Sequence, residues 1–140
     1  GEPPGDWWSN TRHEAARLAA GLDDGDDLAT YYQDVDPELA AEAMRRARSH
    51  PSMRAYEQPW PLDALPNVPT RFLLCREDRF FPAEWMRGLV RDRLGITPDE
   101  IDSGHCPMLS RPAELANRLD AYARAAAGTK GERPEQERQP

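Results

Sequence analysis

Two residues in the second half of the chain have the types and placing to move a proton. Asp78 stands in "CREDRFFP", directly after the apolar run "TRFLLC" at 70–75, and His105 stands in "DSGHCP", after "PDEID" at 98–102. A carboxylate bonded to one ring nitrogen fixes the tautomer and steadies the imidazolium, leaving the other nitrogen to act as a general base. An acid after one strand and a histidine after the next, with a helix between, stand just beyond the carboxyl ends of adjacent parallel strands. Functional groups gather there in open α/β sheets. The expectation is that Asp78 and His105 approach to about 2.6–3.2 Å between heavy atoms. Taken singly, each has an ordinary alternative: an aspartate after a strand is usually a turn or cap residue, and a histidine beside glycine a structural loop residue. Glu77 competes for the acid role, whereas Asp102 is too near His105 in sequence to be a comfortable partner. His13, on a helix, and His50, at a helix end, are expected to face solvent. Three histidines so scattered support no metal site, and no cofactor is expected.

The elements that must position this pair are legible from periodicity and punctuation. "GEPPGDWW" at 1–8 reads as a loop, and "TRHE" has the T-x-x-E form of a capping box. A helix then carries Ala15, Ala16, Leu18, Ala19 and Leu22, with Gly21 at its stop. Residues 23–36 are acidic and loop-like. A second helix over "DPELAAEAMRRARSH" has Asp36 as N-cap and Pro37 at its first position, with Leu39, Ala40, Ala43, Met44 and Ala47 as its apolar side. Five prolines in 51–69 make an extended crossover, whose Trp60, Leu62 and Leu65 are expected on a core edge. "TRFLLC" is nearly continuously apolar, as a parallel strand covered on both faces should be. Pro82 opens a helix with the stripe Trp85, Met86, Leu89, Val90 and Leu94, stopping at Gly95. Pro112 opens the last one, with Leu115, Ala116, Leu119 and Tyr122 as its buried face. Strand, helix, strand, helix implies an α/β class with parallel strands, yet two strands are fewer than a stable sheet normally needs.

Composition bounds the rest. The chain has 140 residues, 39% hydrophobic and 31% charged, with fourteen prolines, about twice the usual share of ~5%. A thin core and proline-punctuated loops follow. A net charge of −7 disfavours nucleic acid or an anionic membrane as partner, and no apolar run nears the ~18 residues of a membrane span. Cys75 and Cys106 form no C-x-x-C pair and read as free thiols of a reducing, cytoplasmic compartment. From Gly128 the tail "GTKGERPEQERQP" holds no large apolar residue, so 128–140 is expected to be disordered.

"FLLCREDRFFP" followed by "IDSGHCPMLSRPAELANRL" resembles the carboxyl-terminal part of an α/β-hydrolase, in particular the esterase and hydroxynitrile-lyase branch. The resemblance is strong over 68–120. It implies Asp78 as catalytic acid, with Cys75 where the family's turn has glycine and Pro82 aligned, and His105 as catalytic histidine. Residues 1–66 resemble the helical cap inserted before these strands, and 67–127 the core segment. The family's nucleophile sits in a G-x-S-x-G elbow. None of Ser9, Ser49, Ser52, Ser103 and Ser110 is framed so, and no HGGG-like oxyanion loop is present. Because the family's order is Ser, then Asp, then His, the elbow is expected upstream of Gly1.

The resemblance thus implies the carboxyl-terminal half of a serine hydrolase acting on small carboxylic esters, with the amino-terminal half of the fold as its partner. Trp7, Trp8, Tyr31, Tyr32 and Met108 are candidates for an apolar acyl pocket or for plain packing. The alternatives are a degenerate, partner-dependent binding module and cyanohydrin cleavage by a hydroxynitrile lyase; other relatives use an aspartate nucleophile on halides or epoxides. Limited proteolysis is expected to trim the tail beyond about Gly128 and leave the folded remainder intact; strong protection there would contradict this reading.

Overall fold

The computed structural model describes residues 2–22, 25–47, 53–59 and 61–128. In chain order come α1 (Pro4–Asn10), α2 (His13–Ala19), α3 (Asp27–Tyr31), α4 (Pro37–Arg46) and α5 (Met53–Glu57). Then follow β1 (Leu73–Cys75), α6 (Ala83–Leu94), β2 (Asp99–Ile101), α7 (Pro107–Ser110) and α8 (Pro112–Gly128). The two strands pair in parallel, Leu73 opposite Asp99, Leu74 opposite Glu100 and Cys75 opposite Ile101. The expected strand over 70–75 contracts to three residues. Thr70 and Arg71 are exposed, and Phe72 joins only through its carbonyl, which accepts from Asp99 N–H at 2.9 Å.

Leu74 and Ile101, 2% and 0% exposed, form the centre of the core, with Val35, Ala40 and Val90 also buried. Each of these Leu, Ile and Val side chains contributes about 1.5–3 kcal/mol on burial, and the methyl of Ala40 less. The core is therefore thin, and polar links between layers carry unusual weight. α6 crosses from β1 to β2 and is tied to the sheet by Arg87, whose guanidinium donates to both oxygens of Glu100 at 2.7 and 3.0 Å. Hydrogen bonds from Arg87 hold the Glu100 carboxyl below its ordinary range. Gly95 ends α6 with φ 66°, a left-handed conformation that glycine adopts without a Cβ clash.

Several expectations are corrected by local chemistry. "GEPPGDWW" is not a loop: Pro3 is extended and Pro4 opens α1, because the N–H that proline lacks would be unpaired in a first turn anyway. Thr11 is no N-cap. Its hydroxyl donates back to the Trp7 carbonyl at 2.7 Å, which closes α1 and leaves Arg12, at φ 55°, to start α2. Gly21 does end α2: Gly21 N–H bonds Leu18 O and Leu22 N–H bonds Arg17 O, the paired closure of a helix capped by left-handed glycine. The acidic stretch 23–36 contains α3, started by Asp26, whose carboxylate accepts from Ala29 N–H at 2.8 Å. α4 begins as expected, Asp36 accepting from Glu38 and Leu39 N–H at 3.0 and 3.1 Å, and ends at Arg46.

The crossover holds α5, and its Leu62 and Leu65 are exposed rather than tucked against a core. Nor does α8 have a buried face: none of its residues is buried, and Leu119 is 54% exposed. A three-residue strand is about 10 Å long and a 17-residue helix about 25 Å, so the two strands offer α8 little surface to cover. The expectations for His50, Trp60 and the tail from 129 onward lie outside the described residues. No described helix is long and apolar enough to cross a membrane, and no group of three potential ligands among the described residues could hold a metal ion.

The Arg87–Glu100 contact makes the attachment of α6 pH-sensitive. A carboxyl held low in the folded chain contributes stability that is present above its ordinary pKa of about 4.3 and is lost as pH falls through the lowered value. Arg87→Met is therefore expected to lower the melting temperature at pH 7. The gap to the unmodified chain should narrow below about pH 4, read by circular dichroism melts across pH. A gap independent of pH would contradict the assignment.

Candidate active site

The ladder of the two strands continues into the loops that follow them. Arg76 N–H donates to Ile101 O at 3.0 Å and Glu77 N–H to Ser103 O at 3.1 Å. The loop after β1 therefore lies against the loop after β2, which brings Asp78 and His105 together. Nδ1 of His105 is 3.0 Å from Asp78 Oδ2 and 3.2 Å from Oδ1. An ionised carboxylate only accepts, so the proton of this contact sits on Nδ1. Asp78 is held from behind as well: Oδ1 accepts from the N–H groups of Phe80 and Phe81 at 2.8 and 2.9 Å. This is the side-chain-to-backbone turn that aspartate favours, so the turn role and the pairing with His105 belong to the same carboxylate.

The other two carboxylates considered for the acid role have different surroundings. Asp102 makes an ion pair with Arg76. Glu77 is exposed, and its backbone carbonyl accepts from Gln33 Nε2 at 2.7 Å. The His105 side chain is 27% exposed and Asp78 9%. Rings of Tyr31, Phe80 and Phe81 surround the imidazole at 5.0, 5.6 and 5.5 Å between centroids. Among the described residues none hydrogen-bonds Nε2. Ser103 is fully buried, with its hydroxyl 2.9 Å from Ser110 Oγ. Ser49 and Ser52 lie outside the described residues.

Beside the pair lies an open cleft of about 470 Å³, lined by Asp78, His105, Trp7, β1 and the inner side of α6. Of the residues expected to line an acyl pocket, Trp7 lines this cleft and Tyr31 packs on His105. Tyr32 borders a different hollow beside Val35 and Ala40, and Met108 is 56% exposed. His13 does not face solvent. It is 6% exposed, its Nε2–H donating to Phe80 O at 2.7 Å, within rings from Trp7, Trp8, Phe80, Phe81 and Trp85. Trp85 Nε1–H donates to Thr11 O at 2.8 Å, so the junction of α1 and α2 is fastened to α6, while His13 fastens α2 to the loop that carries Asp78.

One participant escaped the reading of the sequence. Asp34, between α3 and α4, accepts from Gly104 N–H at 2.8 Å and lies 3.3 Å from Ser103 Oγ. Burial works to raise its carboxyl, but hydrogen bonds from Gly104, Ser110, its own backbone and Ser103 outweigh that and hold it below the ordinary range. The signal was present in "YYQDVD". Asp36 has a local task as N-cap, which leaves Asp34 an acid without one, and a glycine beside a histidine marks a close approach. A Cβ on Gly104 would stand 2.5 Å from Asp34 Oδ1 and 2.9 Å from Gln33 Cδ.

Parallel strands joined by a helix, with an acid–imidazole contact beyond their carboxyl ends, place the polar chemistry where an open α/β sheet gathers it. A model of the alpha/beta hydrolase family matches residues 1–118, and the chain belongs to that family. Comparison with curated proteins found no match, nor did comparison with solved structures.

Cys75 ends β1 beside this site. Burial, and then the charges of Asp78 and Asp34, push its thiol up to about 11, and burial raises Cys106 as well. The thiolate is the reactive form. At pH 8 the folded chain is expected to be alkylated at Cys75 roughly a hundred-fold more slowly than after unfolding, for a free thiol of about 8.5. Iodoacetamide labelling followed by peptide mass analysis measures this; equal rates would contradict the burial of the site.

Proposed function

We propose that this chain supplies the acid and base of a serine hydrolase acting on small carboxylic esters, with a nucleophile elbow contributed from outside these 140 residues. The observation that carries the reading is the Asp78–His105 contact, with Asp78 pinned by two backbone N–H groups and Nε2 left without a partner among the described residues. In this reading Nε2 takes the serine hydroxyl proton as the oxygen attacks the ester carbonyl, and returns it to the leaving alcohol. It then takes a proton from the water that cleaves the acyl-serine and passes it to the departing serine oxygen. Asp78 holds the Nδ1–H tautomer and stabilises the imidazolium.

Two further features support this reading. The edge of β1, unpaired among the described residues, and the cleft beside it bring an apolar surface up to the pair, where another strand and its loop can seat a nucleophile. The family match runs through both site loops. Free cysteines accord with a cytoplasmic setting. Cyanohydrin cleavage by the same pair is the second chemistry, since it too needs a base beside a hydroxyl; a degenerate, partner-dependent module is the non-enzymatic alternative.

The 140-residue chain alone is expected to release no chromogenic alcohol at an enzymatic rate, because in this reading the acyl-forming group and the oxyanion donors come from the upstream segment. Joined to an upstream segment carrying strands and a G-x-S-x-G elbow, it should turn over p-nitrophenyl esters, and His105→Ala should abolish that turnover. Robust activity of the chain alone that His105→Ala removes would overturn the assignment of the nucleophile. Cleavage of mandelonitrile without ester turnover in the joined protein would favour the lyase.

A further inference from the structure

Beyond Glu77 and Ser103 the ladder between the two loops stops, and Gly104 is the hinge between the last ladder residue and His105. Glycine has the widest backbone freedom of any residue, so the imidazole position is not determined by β2 alone. The restraint comes from the other end of the molecule. Asp34 accepts the Gly104 N–H at 2.8 Å, a charge-assisted bond, and Gln33 donates to the Glu77 carbonyl at 2.7 Å, one residue before Asp78. Neighbouring residues of one segment thus hold the base loop and the acid loop. The segment is itself firmly seated: Val35 is buried, Val35 N–H bonds Tyr32 O at 3.0 Å, and Asp36 caps α4. Asp34 Oδ1 and Gln33 Oε1 are buried without hydrogen-bond partners among the described residues, an arrangement that structural stability alone does not favour.

We propose that Gln33 and Asp34 are positioning residues that set the Asp78–His105 contact from the helical segment, so that this segment governs whether the base is aligned. The proposal rests on the acid–base reading above. It gives the segment before β1 a part in preparing the base, separate from any part in enclosing substrate, and it accounts for glycine at 104, where any side chain would enter the space of the clamp.

The test is the tautomer of His105 in the full 140-residue chain, read at neutral pH by long-range ¹H–¹⁵N correlation of labelled histidine. The unmodified chain should carry the His105 proton mainly on Nδ1, while His13, which donates through Nε2, serves as an internal control. Asp78→Asn should convert His105 to mainly Nε2–H. Asp34→Ala and Gln33→Ala should each at least halve the Nδ1–H population with the His13 signals unchanged, and Asp34→Asn, which keeps an acceptor for Gly104 N–H, should restore most of it. If Asp34→Ala does not fold, Gln33→Ala and Asp34→Asn decide by the same criterion. If Asp78→Asn shifts the tautomer while Asp34→Ala (or Gln33→Ala, where it alone folds) leaves it as in the unmodified chain, the positioning role is overturned. If the unmodified chain already carries Nε2–H, the acid–base reading itself falls.

Discussion

The site depends on the register of one short parallel ladder. Three residue pairs join β1 to β2, and the same alternation of N–H and carbonyl groups runs on to Arg76 and Glu77. A slip of one residue would turn the buried side chain of the displaced strand, Leu74 or Ile101, to the other face and carry Asp78 away from His105. The core that enforces this register is small, so buried aliphatics, the Arg87–Glu100 contact and the clamp at Gly104 share the task. The rings around His13 play a similar part on the other side of the acid loop, where the imidazole holds Phe80 O while the N–H groups of Phe80 and Phe81 hold Asp78.

The helical segment is consequently more than a cover. Tyr31, Gln33 and Asp34 reach the imidazole ring, the acid loop and the base loop in turn, and Arg79 Nη1 reaches back to Ala29 O at 3.3 Å. The segment and the loops form one polar unit around Gly104. Buried polar networks of this kind are informative because each group left out of a hydrogen bond raises the free energy of the fold.

How much of this could be read beforehand follows from the range of each interaction. Asp36 with Pro37, Pro82 with Gly95, and the run into Cys75 act within a few residues, and each marked its element. The pairing of Asp78 with His105 is long-range, yet the order of strand, acid, helix, strand, histidine encoded it. The T-x-x-E pattern misled because a threonine hydroxyl can serve the preceding helix as readily as the next one. Leu62, Leu65 and Leu119 misled because apolar type says nothing about whether a sheet extends beneath a side chain. His13 and Asp34 have partners 67 and 70 residues away, contacts that no periodicity reports; Asp34 left only the indirect cue of an acid without a local task, and His13 left none.

The central claim is that Asp78, and not its neighbour Glu77, makes His105 a base. Its most direct measurement is kcat and KM for a small ester in the protein joined to a nucleophile-bearing segment, comparing Asp78→Asn with Glu77→Gln. Asp78→Asn is predicted to lower kcat by about 10³–10⁴-fold with little change in KM, as when a triad acid loses its charge and the imidazole its tautomer, while Glu77→Gln stays within a few-fold of the unmodified protein. A large loss in Glu77→Gln with Asp78→Asn nearly unaffected would contradict the account.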